Sequence, residues 1–269
     1  MNDLSGWKLM NTRAAHQAAP LSEAVRTRGG QVKEIPLIRI APEERREVKA
    51  RAFQAFLNAD WAVFTSANSI DVTVDLLREY SDKSLKELFA GKKTAAVGEK
   101  TKKKLEGFGL VADLLPDTFD AEHLASLLVN DMSSGQTVFY PKSKQARTVL
   151  QDRLTKAQVK VLAAELYDTV PEQRSENALE RSLLHREIDA VMFASPSAVH
   201  SFYRLSSVKA RARFEERGCY AVIGPVTLEA LRTYGATAIA VPDKYTIEGM
   251  LDSISQYKPD SDTEMGAEK

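Results

Sequence analysis

Short apolar runs recur along the chain, each closing on a small or hydroxyl residue before a stretch with helical spacing begins. Trp61-Ala-Val-Phe64 ends at Thr65-Ser66, Ala95-Ala-Val97 at Gly98, Val191-Met-Phe-Ala194 at Ser195, and Ala221-Val-Ile223 at Gly224. Runs of this length read as buried strands, and serine or glycine at their ends reads as a helix start. Behind Ser66, the positions Ile70, Val74 and Leu77 give the following helix an apolar face. Turns of this kind leave the N–H groups of the first helical turn without intrahelical partners.

The alternation covers most of the chain. Residues 8–11 predict a strand ending at Thr12-Arg13, then a helix through Leu21, Ala24 and Val25 that stops at Gly29-Gly30. Residues 31–35 predict a strand, 36–42 an extended connector with a proline at each end, and 43–57 an amphipathic helix. After the strand at 61–65 and its helix come strand 94–97, helix 101–108, a short strand to Leu115 and helix 120–129. Strand 137–140 ends in Pro141-Lys142 and precedes helix 146–154, strand 159–166, a second connector from Tyr167 to Pro171, and helix 177–185. Helix 247–256 closes the pattern, and the polar stretch from about 257 predicts a disordered tail. Strands alternating with helices imply parallel sheets covered on both faces.

The pattern is duplicated. Ser66 and Ser195 are 129 residues apart, and Gly98 and Gly224 are 126 apart. Leu115-Pro-Asp-Thr-Phe-Asp-Ala-Glu122 matches Val241-Pro-Asp-Lys-Tyr-Thr-Ile-Glu248 at the same offset of 126, and Gln31-Val-Lys33 matches Gln158-Val-Lys160 at 127. A period this long means two domain-sized copies rather than a solenoid.

Composition narrows the chemistry. With 37 basic and 37 acidic residues there is no field of either sign to bind a nucleic-acid backbone, so an anionic ligand must be met by local groups. Cys219 is the one cysteine, which fits a reducing compartment and a small core residue on a strand. The four histidines have no metal-like spacing, so no metal is expected. Neither G-x-G-x-x-G nor a phosphate-binding loop occurs, so no nucleotide cofactor is expected, and no cofactor of another kind is implied. The first residues lack a secretion signal and no stretch approaches the ~20 apolar residues that cross a bilayer, so a cytoplasmic protein without membrane contact is expected.

Ser66 and Ser195 each read as a helix cap, with Pro196 at the favoured first helical position. They also stand where the C-terminal edges of α/β sheets bind ligands, and the two readings are compatible. Thr101 and Thr227 sit three residues after the matching glycines, as first-turn stabilisers or ligand contacts. Arg13 and Lys142, at matching strand ends, are candidates for anion binding. Tyr167, where a strand meets a connector, is an interface tyrosine or a cleft-facing phenol.

Thr12-Arg13, Phe64-Thr-Ser66, Val97-Gly98-Glu-Lys-Thr101, Ala146-Arg147, Tyr167, Ser195-Pro-Ser197-Ala-Val199 and Gly224-Pro-Val-Thr227 together closely resemble the uroporphyrinogen-III synthase family, over about residues 8–256. The resemblance implies an α/β fold of two similar doubly wound parallel-sheet domains joined by a two-stranded connector. Residues 1–36 would join 171–269 in one domain and 42–165 would form the other, with 37–41 and 166–170 as connectors. It implies cyclisation of hydroxymethylbilane, a linear tetrapyrrole with eight carboxylates, with loss of water and inversion of ring D, in an interdomain cleft. By carry-over, Tyr167 would assist departure of the ring-A hydroxyl. Arg13, Ser66, Thr101, Lys142, Ser195, Ser197 and Thr227 would hold the substrate's carboxylates. A monomer is expected, in transient contact with hydroxymethylbilane synthase. A two-domain sensor that binds tetrapyrrole without turning it over is the alternative, and the isomer ratio formed from hydroxymethylbilane separates the two.

Overall fold

A computed structural model describes residues 3–257, so the tail expected beyond Tyr257 lies outside the described residues. In the first copy the chain runs β1 (Lys8–Asn11), α1 (Ala15–Thr27), β2 (Gln31–Glu34), β3 (Ile38–Pro42), α2 (Arg46–Leu57), β4 (Trp61–Phe64), α3 (Ala67–Tyr80), α4 (Leu85–Leu88), β5 (Lys93–Ala96), α5 (Glu99–Glu106) and α6 (Ala121–Asp131). The second copy continues with β6 (Thr137–Ser143), α7 (Val149–Lys156), β7 (Lys160–Pro171), α8 (Glu176–Leu184), β8 (Ala190–Phe193), α9 (Pro196–Leu205), α10 (Val208–Glu215), β9 (Cys219–Val222), α11 (Pro225–Arg232), β10 (Ile239–Ala240) and α12 (Ile247–Gln256).

Two compact units result, one formed by Met1–Arg39 with Val170–Lys269 and the other by Ile40–Thr169. The first holds a five-stranded sheet in the order β10-β9-β8-β1-β2, parallel throughout. Counted within the unit from β2, this is the doubly wound order 2-1-3-4-5, whose direction of winding reverses between β1 and β8. The second sheet runs β3-β7-β6-β4-β5, parallel from β7 to β5. Because β6 and β7 repeat β1 and β2 in sequence, the corresponding reversal lies between β6 and β4.

Strand β3 joins its sheet antiparallel to β7. Glu172 donates its N–H to the Leu37 carbonyl at 2.9 Å and Glu43 to the Leu166 carbonyl at 2.8 Å, so one strand advances as the other retreats. The stretch read as an extended connector over 36–42 is therefore largely a paired strand.

Alternation along each strand builds two hydrophobic layers per unit. In the first, Met10, Val191, Phe193, Tyr220 and Val222 pack on one face while Leu9, Ala190, Met192, Cys219 and Ala221 pack on the other. In the second, Ala62, Phe64, Ala96, Phe139 and Leu166 share one face, and Trp61, Val63, Ala95, Val138 and Tyr140 the opposite one.

Several elements differ from expectation. The strand to Leu115 is reduced to a single bridge, Ala95 with Leu114. Helix α2 begins at Arg46 rather than Glu43, because the Glu43 N–H is bonded to Leu166 and its carboxylate to the N–H and guanidinium of Arg45. Helix α7 begins at Val149 rather than Ala146, whose N–H closes a turn onto the Ser143 carbonyl. Helices α4 and α10 were not expected at all. Each starts at a serine cap, Ser84 and Ser207, but their segments are short and largely polar.

Candidate functional site

In the second unit, β4 delivers Ser66 to the N-cap of α3, where its Oγ accepts the Ser69 N–H at 3.1 Å. Strand β7 carries Tyr167 beside it. Lys142 pairs with Glu165 but Ser143 pairs with Tyr167, so the register slips by one residue around Leu166. A regular strand would send Leu166 and Tyr167 to opposite faces, whereas this irregularity brings both into the core layer that holds Phe64. The Tyr167 hydroxyl then lies 2.8 Å from Ser66 Oγ. Burial pushes the phenol above its ordinary pKa, and the Ser66 hydrogen bond pulls it partly back. Tyr140, unforeseen because it reads as one apolar position in a strand, brings its hydroxyl 3.5 Å from Thr65 Oγ1 at the same edge.

Strand register sets the neighbours. Phe64 pairs with Ala96, so Ser66 stands level with Gly98, the N-cap of α5. Thr101 is buried in that helix's first turn. Ala62 pairs with Phe139, which puts Lys142 level with Thr65. Lys142 is buried and its ammonium is 3.0 Å from Glu165, so this cation is already paired.

The first unit repeats the arrangement. Ser195 caps α9 by accepting the Ala198 N–H at 3.3 Å, and Gly224 begins α11. Phe193 pairs with Val222, so Ser195 is level with Gly224. Ser197 is half-buried in the first turn of α9 and Thr227 is buried in that of α11. Thr12 clamps the reversal point by donating from Oγ1 to the Met192 carbonyl at 2.6 Å, and Arg13 follows level with Ala194.

Arg13 differs from Lys142 in one respect that matters. Its Nη2 reaches only Gln17 Oε1 at 3.5 Å, its buried Nε has no partner, and it forms no ion pair among the described residues. Burial alone lowers its pKa. A half-buried guanidinium with no carboxylate beside it has N–H groups able to donate to an anion.

The predicted residues thus assemble as two sets. Ser66, Thr101, Lys142 and Tyr167 share one edge of the second unit, and Arg13, Ser195, Ser197 and Thr227 share the equivalent edge of the first. A cavity of about 310 Å³ lined by Ser5, Trp7, Asp189, Arg217 and Cys219 lies at the opposite, N-terminal edge of the first sheet, away from these residues. Among the described residues no group of three or more His, Cys, Asp or Glu side chains is placed to hold a metal. The chemistry on offer is hydrogen bonding to carboxylates and one phenol beside a serine.

Sheet order and residue placement define a two-unit α/β protein with equivalent sets of helix-starting turns at the C-terminal edges of its two sheets. The family model described as uroporphyrinogen-III synthase HemD matches residues 19–252. A protein of Methanothermobacter thermautotrophicus, provisionally assigned as a uroporphyrinogen-III synthase, is 30% identical over 91% of this chain and 96% of its own. The uroporphyrinogen-III synthase of Synechococcus elongatus is 26% identical over 94% and 96%. The crystal structure of the Helicobacter pylori uroporphyrinogen-III synthetase superimposes with a TM-score of 0.60 at 18% identity, covering 94% of this chain and 99% of that one, a likeness of fold. The chain belongs to the uroporphyrinogen-III synthase family, cyclising lyases of tetrapyrrole biosynthesis. Among the described residues no helix is long and apolar enough to cross a membrane.

Proposed function

We propose that this chain closes hydroxymethylbilane to uroporphyrinogen III with Tyr167 as its catalytic residue, and that turns of both units receive the substrate's carboxylates. The observation that carries the reading is the hydrogen bond between Tyr167 and Ser66, which holds a neutral phenol at the edge where ligands bind. As the ring-A C–O bond breaks, its electron pair goes to the departing oxygen. The Tyr167 O–H donates a hydrogen bond that strengthens as that charge grows. The oxygen takes up one proton from solvent and leaves as water, while the ring-A pyrrole releases its N–H proton as its electrons fill the emptied methylene carbon, so that uptake and release balance. A phenol raised above its ordinary pKa is a weak acid, so hydrogen bonding rather than complete early proton transfer is its part. The bilane can close unaided to the uninverted isomer, so the larger task is holding one folded conformation. Arg13 and Lys142 supply charge for that task, the turn at Ser66 supplies main-chain N–H donors, and the turns at Thr101, Ser195, Ser197 and Thr227 supply hydroxyl and N–H donors.

The same reading takes residues 1–36 with 171–269 as one functional domain, 42–165 as the other, and 37–41 and 166–170 as connectors. It places the protein in the cytoplasm as a monomer that receives its substrate from hydroxymethylbilane synthase. Incubation with freshly made hydroxymethylbilane, followed by oxidation and chromatographic separation of isomers, tests it. Isomer III in excess over I is expected. Binding of tetrapyrrole with the spontaneous isomer ratio unchanged would show a sensor instead.

A further inference from the structure

One duplicated motif has no part in the site as described. Phe119 and Tyr245 occupy the same place in the two copies, 126 residues apart within Leu115-Pro-Asp-Thr-Phe-Asp and Val241-Pro-Asp-Lys-Tyr-Thr. Both rings are open to solvent, at 57% and 64% exposure. Single exposed apolar residues are ordinary. Two at equivalent positions of a duplicated fold, each over the equivalent glycine, are a constructed feature.

The contact is specific. A Cβ built on Gly98 would meet Phe119 Cβ and Cγ at 3.2 Å, and one on Gly224 would meet Tyr245 Cβ and Cγ at 3.5 Å. Any side chain at Gly98 would press on Phe119, while at Gly224 it would just touch Tyr245. The nearest atoms are at the root of each aromatic side chain, so the glycines seat the rings without covering them. The next residue in each case caps a helix, Asp120 accepting the His123 N–H at 2.8 Å and Thr246 the Gly249 N–H at 3.0 Å. An apolar residue just before a cap commonly staples itself onto the helix's first turn. Rings more than half exposed are not spent on that contact.

Their position gives them a use. Gly98 is level with Ser66 and Gly224 with Ser195, so each ring stands beside turns assigned to carboxylates. A linear tetrapyrrole is a chain of electron-rich flat rings that each carry acidic side chains. A donor turn next to an open aromatic face suits one such unit, because offset or edge-to-face stacking orients a ring while the turn holds its carboxylate.

We propose that Phe119 and Tyr245 are stacking platforms for pyrrole rings of the bilane, one on each unit. The proposal rests on the function given above. Steady-state kinetics with hydroxymethylbilane on the full chain, comparing Phe119→Ala, Tyr245→Ala and the double variant, test it. Each single change is expected to raise KM by about five- to tenfold, the size of an aromatic stacking contact, and the double change to increase the share of isomer I. Phe119→Tyr and Tyr245→Phe are expected to restore wild-type values, and Phe119→Leu and Tyr245→Leu, apolar but not flat, are not. Because the rings are exposed, thermal midpoints should stay within about 2 °C of wild type, which separates stacking from folding. An unchanged KM and isomer ratio in the double variant, or full restoration by leucine, while wild type makes isomer III, overturns the platforms and leaves the function standing. Failure of wild type to make isomer III removes both.

Discussion

The Tyr167 hydroxyl and Ser66 Oγ lie 2.8 Å apart, and the same serine oxygen accepts the Ser69 N–H that starts α3. The helix cap therefore fixes the serine, and the serine fixes the phenol. With one Oγ lone pair given to Ser69, Ser66 can donate its own proton to Tyr167, which leaves the Tyr167 proton free for the substrate. Phe at 167 removes that donor without disturbing the packed ring. Tyr167→Phe is expected to lower kcat by about 10- to 100-fold with KM little changed, measured as the initial rate of isomer III. Ser66→Ala should cost less in rate but about 1 kcal/mol in stability through the lost cap, and Ser66→Thr should restore both. The two effects on rate should not add, since both act through one hydroxyl. Because burial raises the phenol's pKa, no loss of activity below about pH 10 should trace to Tyr167. A Phe variant with full activity would remove the tyrosine from the chemistry.

Arg13 and Lys142 occupy equivalent positions but unequal circumstances. Lys142 is neutralised by Glu165 at 3.0 Å, whereas Arg13 keeps a buried, unpartnered Nε. Holding a desolvated cation without a partner costs stability that a bound anion would recover. Arg13→Met is therefore expected to raise the thermal midpoint by about 2 °C while raising KM for hydroxymethylbilane about tenfold. Lys142→Met should raise KM only about threefold, since its charge is already met. A drop in midpoint for Arg13→Met, read by calorimetry, would show that the guanidinium is structural.

Much of this architecture is written in local pattern, because alternation along β4, β8 and β9 follows directly from which face each residue must bury. The serine caps at Ser66 and Ser195 are equally local, since each bonds an N–H three residues ahead. What local pattern cannot carry is cross-strand register. The slip that turns Tyr167 toward Ser66 exists only in the pairing of β7 with β6, and neither strand alone signals it. Tyr140 was hidden for the same reason. In a strand it is one more large residue, and only the neighbouring Thr65 reveals a use for its hydroxyl. The tight approach of Phe119 to Gly98 had a signal, the repeated Pro-Asp-x-aromatic phrase, but no local rule says what the ring rests on. Helix α10 was lost because Lys209, Arg211 and Arg213 masked the two positions, Ala210 and Phe214, that bury its inner face.

Glu43 couples the start of α2 to the strand that carries Tyr167. Its N–H bonds the Leu166 carbonyl at 2.8 Å, while its buried carboxylate takes the Arg45 guanidinium at 2.8 and 2.9 Å and Lys144 at 3.4 Å. Lys144 in turn donates its N–H to the Tyr167 carbonyl at 2.9 Å. Hydrogen bonds from Arg45, with its charge, hold the Glu43 carboxyl far below the usual carboxylate range. A depressed folded pKa means the contribution is present above the unfolded value, about pH 4.3, and is lost as pH falls toward the folded one. Both cations are largely exposed, so screening discounts the pair. Glu43→Gln is expected to lower the thermal midpoint at pH 7 by about 2–4 °C, with the gap from wild type narrowing below pH 4 and in high salt. A gap that stayed constant from pH 7 to pH 3 would mean that the charge plays no part.

Cys219 offers a reading of the first unit alone. It opens β9, is 1% exposed, and burial with the nearby Asp189 charge pushes its thiol up to about 12. Only the thiolate reacts, so at pH 8 a native thiol raised in this way carries very little of the reactive form. Labelling by an aromatic disulfide reagent is expected to be undetectable on the scale of minutes in buffer and to reach one thiol per chain in denaturant, the chain having a single cysteine. Between these limits the rate reports opening of the sheet that contains β8 and β9. Each unit has its own hydrophobic layers, and Phe139 is buried in the second. Phe139→Ala should therefore cost that unit about 3–5 kcal/mol, visible as an earlier circular-dichroism transition, while Cys219 labelling in dilute urea stays at the wild-type rate. Acceleration of labelling in step with the lost ellipticity would instead show that the two units unfold as one cooperative body.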